Sequence, residues 1–381
     1  MNSISFRIYL FVLCFLIISS EYLYSKDSLI YINPENNESI FDSAIENHKL
    51  YFETANPELS DEFIREHLTE LFPIISEKDI YRIIETKKIV STGQTTTDTL
   101  NTSAASDVYK VSFEVPENFL VDSAKILWVL NIPEFQSRIY QLYEGKEIYI
   151  DTWPNVVGTI KDKTYTGNFQ AYKIRNWPFY KDPDPLKASL PPVKPGPGNP
   201  LGLFVVHYDE NSLRYFHGTN NPKVLNNQLR NLSHGCIRND NDNIAKMKEF
   251  IIRKVVRSKD LSDWSGSKRT MIYEFEERDK FPVQIIYKTY EVDIDFTGKY
   301  IMLFKDVYKY ENSGNINSEL NDEGLIFLTN KENIYAEYRK KFGSEIPDDA
   351  LNMMIEYVIN NGEEYQKYYI DDLKEKFMIN N

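Results

Sequence analysis

From residue 108 onward the sequence is cut into short runs of β-branched and aromatic residues, each closed by a turn signal, and such a chain hides its apolar side chains by pairing strands. The runs lie at 109–115, 125–131, 137–143, 147–151, 167–174, 202–207 and 213–216. Turn chemistry joins several of them, at Glu144-Gly145-Lys146 and at Asp209-Glu210-Asn211-Ser212. This spacing predicts an antiparallel β domain. Residues 178–200 interrupt it with a stretch too rich in Pro for a strand or a helix, so a long surface loop is expected there. Such a loop can be a lid over a site or a cover for a sheet edge, and the sequence supports both. A helix is expected at about 240–256, where Ile244, Met247, Phe250 and Ile251 fall at helical spacing, before strands return at 281–292 and 300–304.

The flanks have a different texture. Residues 26–90 are charged, and Ser60-Asp61-Glu62 can open a helix with Phe63, Leu68, Leu71 and Phe72 near one face, followed by a shorter helix at 76–87. Residues 91–106 are rich in Ser, Thr and Gly and are expected to form a linker. After the β domain, taken as 107–320, the tail 321–381 is helical in pattern. Residues 1–25 join Arg7, an apolar run at 8–18 and small residues at Ser19, Ser20 and Ser25, which is the pattern of a secretory signal peptide. An uncleaved anchor is the alternative, although the apolar run is shorter than the roughly 20 residues of a spanning helix. No later segment is apolar enough to span a membrane.

Charge narrows the partners. With 57 acidic against 44 basic residues the formal charge is −13 and no basic stripe stands out, so nucleic acid is not an expected ligand. Cysteine narrows the chemistry. Of the two cysteines, Cys14 lies in the signal and leaves with it, so Cys236 would be a lone thiol in an oxidising compartment, which marks it as a candidate reactive group. Its neighbours support that reading: His217-Gly218 precedes Ser233-His234-Gly235-Cys236 by one loop. A thiol attacks as its thiolate, and an imidazole in reach takes the proton. His217, from another strand, can approach the sulfur head-on and is the expected base, its second nitrogen fixed by a carbonyl. Gly235 lets backbone N–H groups turn toward a substrate oxygen. A zinc site built on one Cys and two His lacks a fourth ligand at ordinary spacing, so no metal is expected. Two structural histidines in turns are the remaining alternative.

At these residues the sequence resembles the L,D-transpeptidase catalytic domain, the YkuD family, whose signature is His-Gly followed after about 14 to 17 residues by Ser/Thr-His-Gly-Cys. Fifteen residues, 218–232, separate His217 from Ser233, and Arg230-Asn231-Leu232 and Ile237-Arg238 extend the match. Further likenesses at 129–135, 143–146, 164–167, 198–202, 281–290 and 304–308 carry the resemblance over about 107–310 and toward the larger, Gram-negative-type members. Tyr165, Asn239 and Asn243 depart from the usual residues. The resemblance implies a mainly β sandwich or barrel with helical N- and C-terminal segments. It assigns Cys236 as nucleophile, His217 as general base, and Gly218 as the carbonyl that orients it. His234 and Gly235 join Cys236 in a backbone oxyanion hole, and Arg238, Arg230 and Ser233 contact substrate. It implies an exported, peptidoglycan-associated enzyme of the periplasm or envelope that needs no cofactor, cross-links stem peptides three-to-three with release of D-alanine, and is acylated by carbapenem-type β-lactams. A carboxypeptidase, an enzyme attaching protein to peptidoglycan, and a non-catalytic wall-binding module are the alternatives.

Overall fold

The computed structural model describes residues 25–29, 45–97, 105–182, 184–212 and 214–379. The signal-peptide reading of 1–25 falls almost wholly outside them. Strands β1 (Ser25–Leu29), β2 (Ile45–Thr54), β3 (Lys88–Thr97) and β4 (Ala105–Pro116) form a four-stranded sheet in the order β1-β2-β4-β3. Helices α1 (Ser60–Leu71) and α2 (Glu77–Glu85) sit between β2 and β3. Ser76 caps α2 by accepting the Asp79 N–H at 3.0 Å, and Asp79 accepts the Ser76 hydroxyl at 2.8 Å. The expected helices are present, but the N-terminal segment is as much sheet as helix. The expected linker at 91–106 instead contributes to β3 and β4, because threonine is β-branched and suits a strand as well as a loop. This unit shares its core with the rest of the chain: Phe72 meets Phe250 edge-on at 5.2 Å.

After the short α3 (Glu117–Leu120) come β5 (Lys125–Asn131), β6 (Gln136–Tyr143), β7 (Lys146–Gly158), β8 (Gly167–Ala171), β9 (Lys173–Asn176), β10 (Phe204–His207), β11 (Tyr215–His217), β12 (Asn231–Ser233) and β13 (Ile237–Asn239). Helix α4 (Asn241–Phe250), prolonged by a π-helical turn at Ile251–Val256, precedes β14 (Met271–Glu274) and β15 (Phe281–Lys288). With a later strand, β18 (Ile326–Phe327), they build one twelve-stranded sheet ordered β14-β9-β10-β11-β13-β7-β6-β5-β15-β18, with β12 on β7 and β8 on β15. The protein is thus mainly β, but the sheet is mixed: β11 with β13, β5 with β15, β12 with β7 and β15 with β18 are parallel. Strand texture reports burial and not direction, so the antiparallel expectation failed at those pairs. Alternation sets the core face. Phe281, Val283, Ile285 and Tyr287 point inward along β15, and Trp128 stacks on Phe216 at 3.8 Å.

Strands β16 (Tyr290–Ile294) and β17 (Lys299–Leu303) precede β18 (Ile326–Phe327), helices α5 (Lys331–Phe342) and α6 (Asp348–Asn361), β19 (Lys367–Tyr369) and α7 (Ile370–Lys376). β16, β17 and β19 pair with one another and bury a second core with these helices, including Val292, Ile301, Leu351 and Ile355. The helical tail therefore does not begin a separate body at 321; it packs on strands drawn from 290–303. Arg138 links the two cores. It pairs with Glu134 through both terminal nitrogens, at 2.7 and 2.9 Å, and with Glu291 at 2.5 Å, all three side chains buried. Among the described residues no helix is long and apolar enough to cross a membrane.

Candidate active site around Cys236

Four strands set the site. Hydrogen-bonded register places Arg175 of β9 opposite Val205 of β10, Val205 opposite His217 of β11, and His217 opposite Arg238 of β13. Because side chains alternate, this row and the row two residues away, with Lys173, His207 and Tyr215, share one face. The other face carries Ile174, Phe204, Val206, Phe216 and Ile237, all buried in the core. Cys236, just before β13, is in step with Arg238. The parallel pairing of β11 and β13 therefore sets thiol and imidazole one strand apart and two residues apart in register.

His217 is only 3% exposed, and its Nδ1 lies 2.6 Å from the Gly218 carbonyl oxygen. With Nδ1 donating to that carbonyl, Nε2 is left unprotonated. Burial, then the cationic Arg238 and Arg175, push this imidazole down to about 3, while the carbonyls of Gly218 and Leu201 act in the opposite sense. Burial also raises the Cys236 thiol; the Tyr215 backbone N–H and then Arg214, Arg238 and Arg175 pull it back. At neutral pH both groups are therefore uncharged. His234, in contrast, is exposed and lies near Asp182 of the Pro-rich loop.

Close packing holds the base. A Cβ on Gly218 would stand 2.3 Å from Asn241 Oδ1, and one on Gly202 would stand 2.8 Å from both that atom and Gly218 Cα. Asn241 uses its amide twice, accepting from the Thr219 N–H at 3.0 Å and donating to the Thr219 carbonyl at 2.8 Å. Asn239, one of the departures from the family pattern, is fully buried and accepts from Asn155 at 2.8 Å.

The turn before the thiol is held from three sides. Gly235 adopts φ +100°, where a side chain is strained. Its carbonyl accepts from Thr164 Oγ1 at 2.9 Å, and Thr164 Oγ1 accepts the Gly158 N–H at 3.0 Å. Tyr308 completes the circuit by accepting the Thr164 N–H at 3.0 Å and donating to the Gly158 carbonyl at 2.9 Å. On the remaining side Arg214 donates to the Lys163 carbonyl at 2.8 Å and lies 4.2 Å over the Tyr165 ring.

Three expected roles need correction. The Gly235 N–H, expected in the oxyanion hole, donates instead to Ser233 Oγ at 3.1 Å. Ser233, expected to contact substrate, is 2% exposed and spends its hydroxyl on the Cys236 carbonyl at 2.5 Å. Arg230 is spent on backbone: it donates to the carbonyls of Asn155, Asn227 and Phe135 at 2.9 to 3.0 Å, which ties the approach to the turn onto β7. Arg238 stays half-buried beside Cys236 and Tyr180. Tyr180 belongs to the Pro-rich loop, which closes on itself through a Tyr180–Val193 bridge and through Asn199, whose amide donates to the Pro178 carbonyl at 2.9 Å. The loop thus reaches the site, a relation that sequence left open.

Compared with known families, the model of the L,D-transpeptidase catalytic domain, YkuD, matches residues 128–259. These residues are a YkuD domain. The match takes in β5 through α4, and so every strand that positions His217 and Cys236, but stops short of Tyr308. None of the curated proteins compared matches the sequence. Among solved structures, the chain is similar to LD transpeptidase LdtMt1 in complex with imipenem, with 15% identity over 56% of this chain and 87% of that one, TM-score 0.27. It is similar to an L,D-transpeptidase from Mycobacterium smegmatis, with 17% identity over 55% and 86%, TM-score 0.26. It is also similar to the helical cell shape determining protein Pgp2 of Campylobacter jejuni, with 12% identity over 64% and 71%, TM-score 0.25. At these scores the likenesses add nothing to the family match. Arg175, Arg214, Thr164 and Tyr308 are the neighbours of the site that sequence reasoning did not assign; Thr164 and Tyr308 fall within family-like stretches of the sequence, but nothing there gave either a role.

Proposed function

We propose that this protein is an L,D-transpeptidase of the cell envelope, with Cys236 as nucleophile and His217 as general base. The observation that carries the reading is the buried imidazole of His217, fixed by the Gly218 carbonyl, on the strand beside the one that follows Cys236 in a YkuD domain. As the sulfur attacks the carbonyl carbon of the donor stem peptide, between its third and fourth residues, His217 Nε2 takes the thiol proton. The oxyanion would be met by the backbone N–H groups of His234 and Cys236. Collapse of the tetrahedral intermediate breaks the C–N bond, His217 returns the proton to the leaving amine, and D-alanine departs from a thioester. An acceptor amine then attacks the thioester, losing a proton to His217, and the thiol is regenerated. Since both partners start neutral, His217 acts during attack and not through a resting ion pair.

Export through the N-terminal signal and acylation of Cys236 by carbapenem-type β-lactams belong to the same proposal. Incubating the mature protein with stem tetrapeptide and following products by mass spectrometry tests it. D-alanine release together with a three-to-three dimer is expected. Release without dimer would make the enzyme a carboxypeptidase, and no release would defeat the reading.

A further inference from the structure

We propose that Arg175 anchors a carboxylate of the donor peptide beside Cys236, making it a specificity-determining residue of the site. The inference rests on the transpeptidase reading for the identity of the ligand. Its physical basis is an imbalance of charge. In a chain of net charge −13, three guanidinium groups, Arg175, Arg214 and Arg238, surround the thiol, and none of the three forms an ion pair with a carboxylate among the described residues. Arg214 has other work, on the Lys163 carbonyl and the Tyr165 ring. Arg175 is only partly used: its guanidinium meets the Tyr215 side chain, hydrogen-bonding to it with the guanidinium carbon 5.6 Å from the ring centre, while its Nε is buried with no hydrogen-bond partner among the described residues. A buried guanidinium donor without an acceptor is costly, and a ligand that brings an anion removes the cost.

Geometry says where that anion would sit. Arg175 and Arg238 stand at the two ends of one row across the sheet, with Val205 and His217 between them. Val205 is fully buried between them, so the half-buried guanidinium groups at the two ends are the parts of this row that a ligand can reach. A carboxylate beside the Arg175 end of the row can accept from its planar fork in the bidentate manner that suits this pair. On the proposed donor two groups supply this chemistry: the C-terminal carboxylate of the leaving residue and the side-chain carboxylate of the diamino acid.

Binding to the full mature chain carrying Cys236→Ser measures recognition without turnover. Calorimetry would compare the free tetrapeptide with two analogues, one amidated at its C-terminus and one at the diamino acid. One amidation is expected to weaken binding about 10- to 100-fold, the range of a hydrogen bond between charged groups, and so to name the carboxylate. Adding Arg175→Gln should weaken the free peptide by a similar factor and abolish the difference between it and that analogue, with Arg175→Lys in between. Thermal melts of both variants establish that they are folded. Three results overturn the proposal: both amidations harmless, Arg175→Gln weakening all three peptides equally, or no binding of free peptide to the folded parent. D-alanine release by wild type is scored separately. Release that is insensitive to Arg175 sinks this inference alone, whereas carboxylate-selective binding without release sinks the transpeptidase reading alone.

Discussion

Removing one oxygen 72 residues downstream of the thiol should slow it. Tyr308→Phe keeps the ring between Tyr287 and Tyr310, whose centres lie 5.5 and 5.6 Å away, but deletes the hydroxyl that bonds the Thr164 N–H and the Gly158 carbonyl. Both groups would be left unpaired in a buried site. Leaving each unmet costs about 1–3 kcal/mol, so a loss of about 2–6 kcal/mol in unfolding free energy is expected, against the roughly 5–15 kcal/mol of a domain of ordinary stability. The same groups hold Thr164, and Thr164 holds the Gly235 carbonyl. Displacing a reacting group by about an ångström can cost on the order of 100-fold in rate, and partial relaxation here should give about 10-fold. Urea denaturation gives the first quantity, and the rate of Cys236 alkylation by iodoacetamide gives the second without any peptide substrate. A variant destabilised by the expected amount but alkylated at the wild-type rate would show that Tyr308 supports the fold and not the nucleophile.

The alkylation rate of wild type should rise about tenfold per pH unit through neutrality with no plateau below the ordinary thiol range, because the thiol is raised and His217, lowered to about 3, stays neutral. A plateau with its midpoint near pH 6 would instead reveal a thiolate–imidazolium pair. Gly235→Ala should lose roughly 1–3 kcal/mol of stability from its left-handed backbone, and most of its alkylation rate, because the new methyl would meet Arg214 Nε at 2.8 Å and the Lys163 carbonyl at 3.1 Å; unfolding and alkylation assays check both. Arg138→Met should cost about 3–5 kcal/mol in chemical denaturation, since Glu134 and Glu291 would be left buried without their cation, and an unchanged midpoint would contradict that account.

The parts of the site that sequence revealed are those whose logic is local. Cys236, Gly235 and His234 are consecutive, and the link from His217 to Gly218 spans one peptide, so spacing alone exposes them. Arg175 and Tyr308 are different, since only sheet register brings the first into the row of His217 and only a docked extension brings the second to Thr164. The same limit explains the misread roles. Arg230 and Ser233 look like polar groups awaiting a ligand until the carbonyls around them are placed, and then both are fully occupied. Composition misled at 91–97, where threonines that resemble a linker pair with β4 as a strand. Elsewhere the period-two pattern was reliable, as along β15, because burial on one face is written into the alternation itself.

The circuit through Tyr308 also bears on the order in which the molecule can become competent. The YkuD match ends at 259, yet the turn carrying the thiol is closed by a hydroxyl from 308, Lys163 at its flank bonds the carbonyl of Asn315, and Thr166 bonds that of Asp322. A chain emerging amino end first could pair β5 to β13 long before those residues arrive. Until then Cys236 would sit on an unbraced turn. Competence is therefore coupled to completion: the thiol acquires its working geometry only after the segment through 322 has docked, and a piece cut at the family boundary would carry every signature residue without the brace that aligns them.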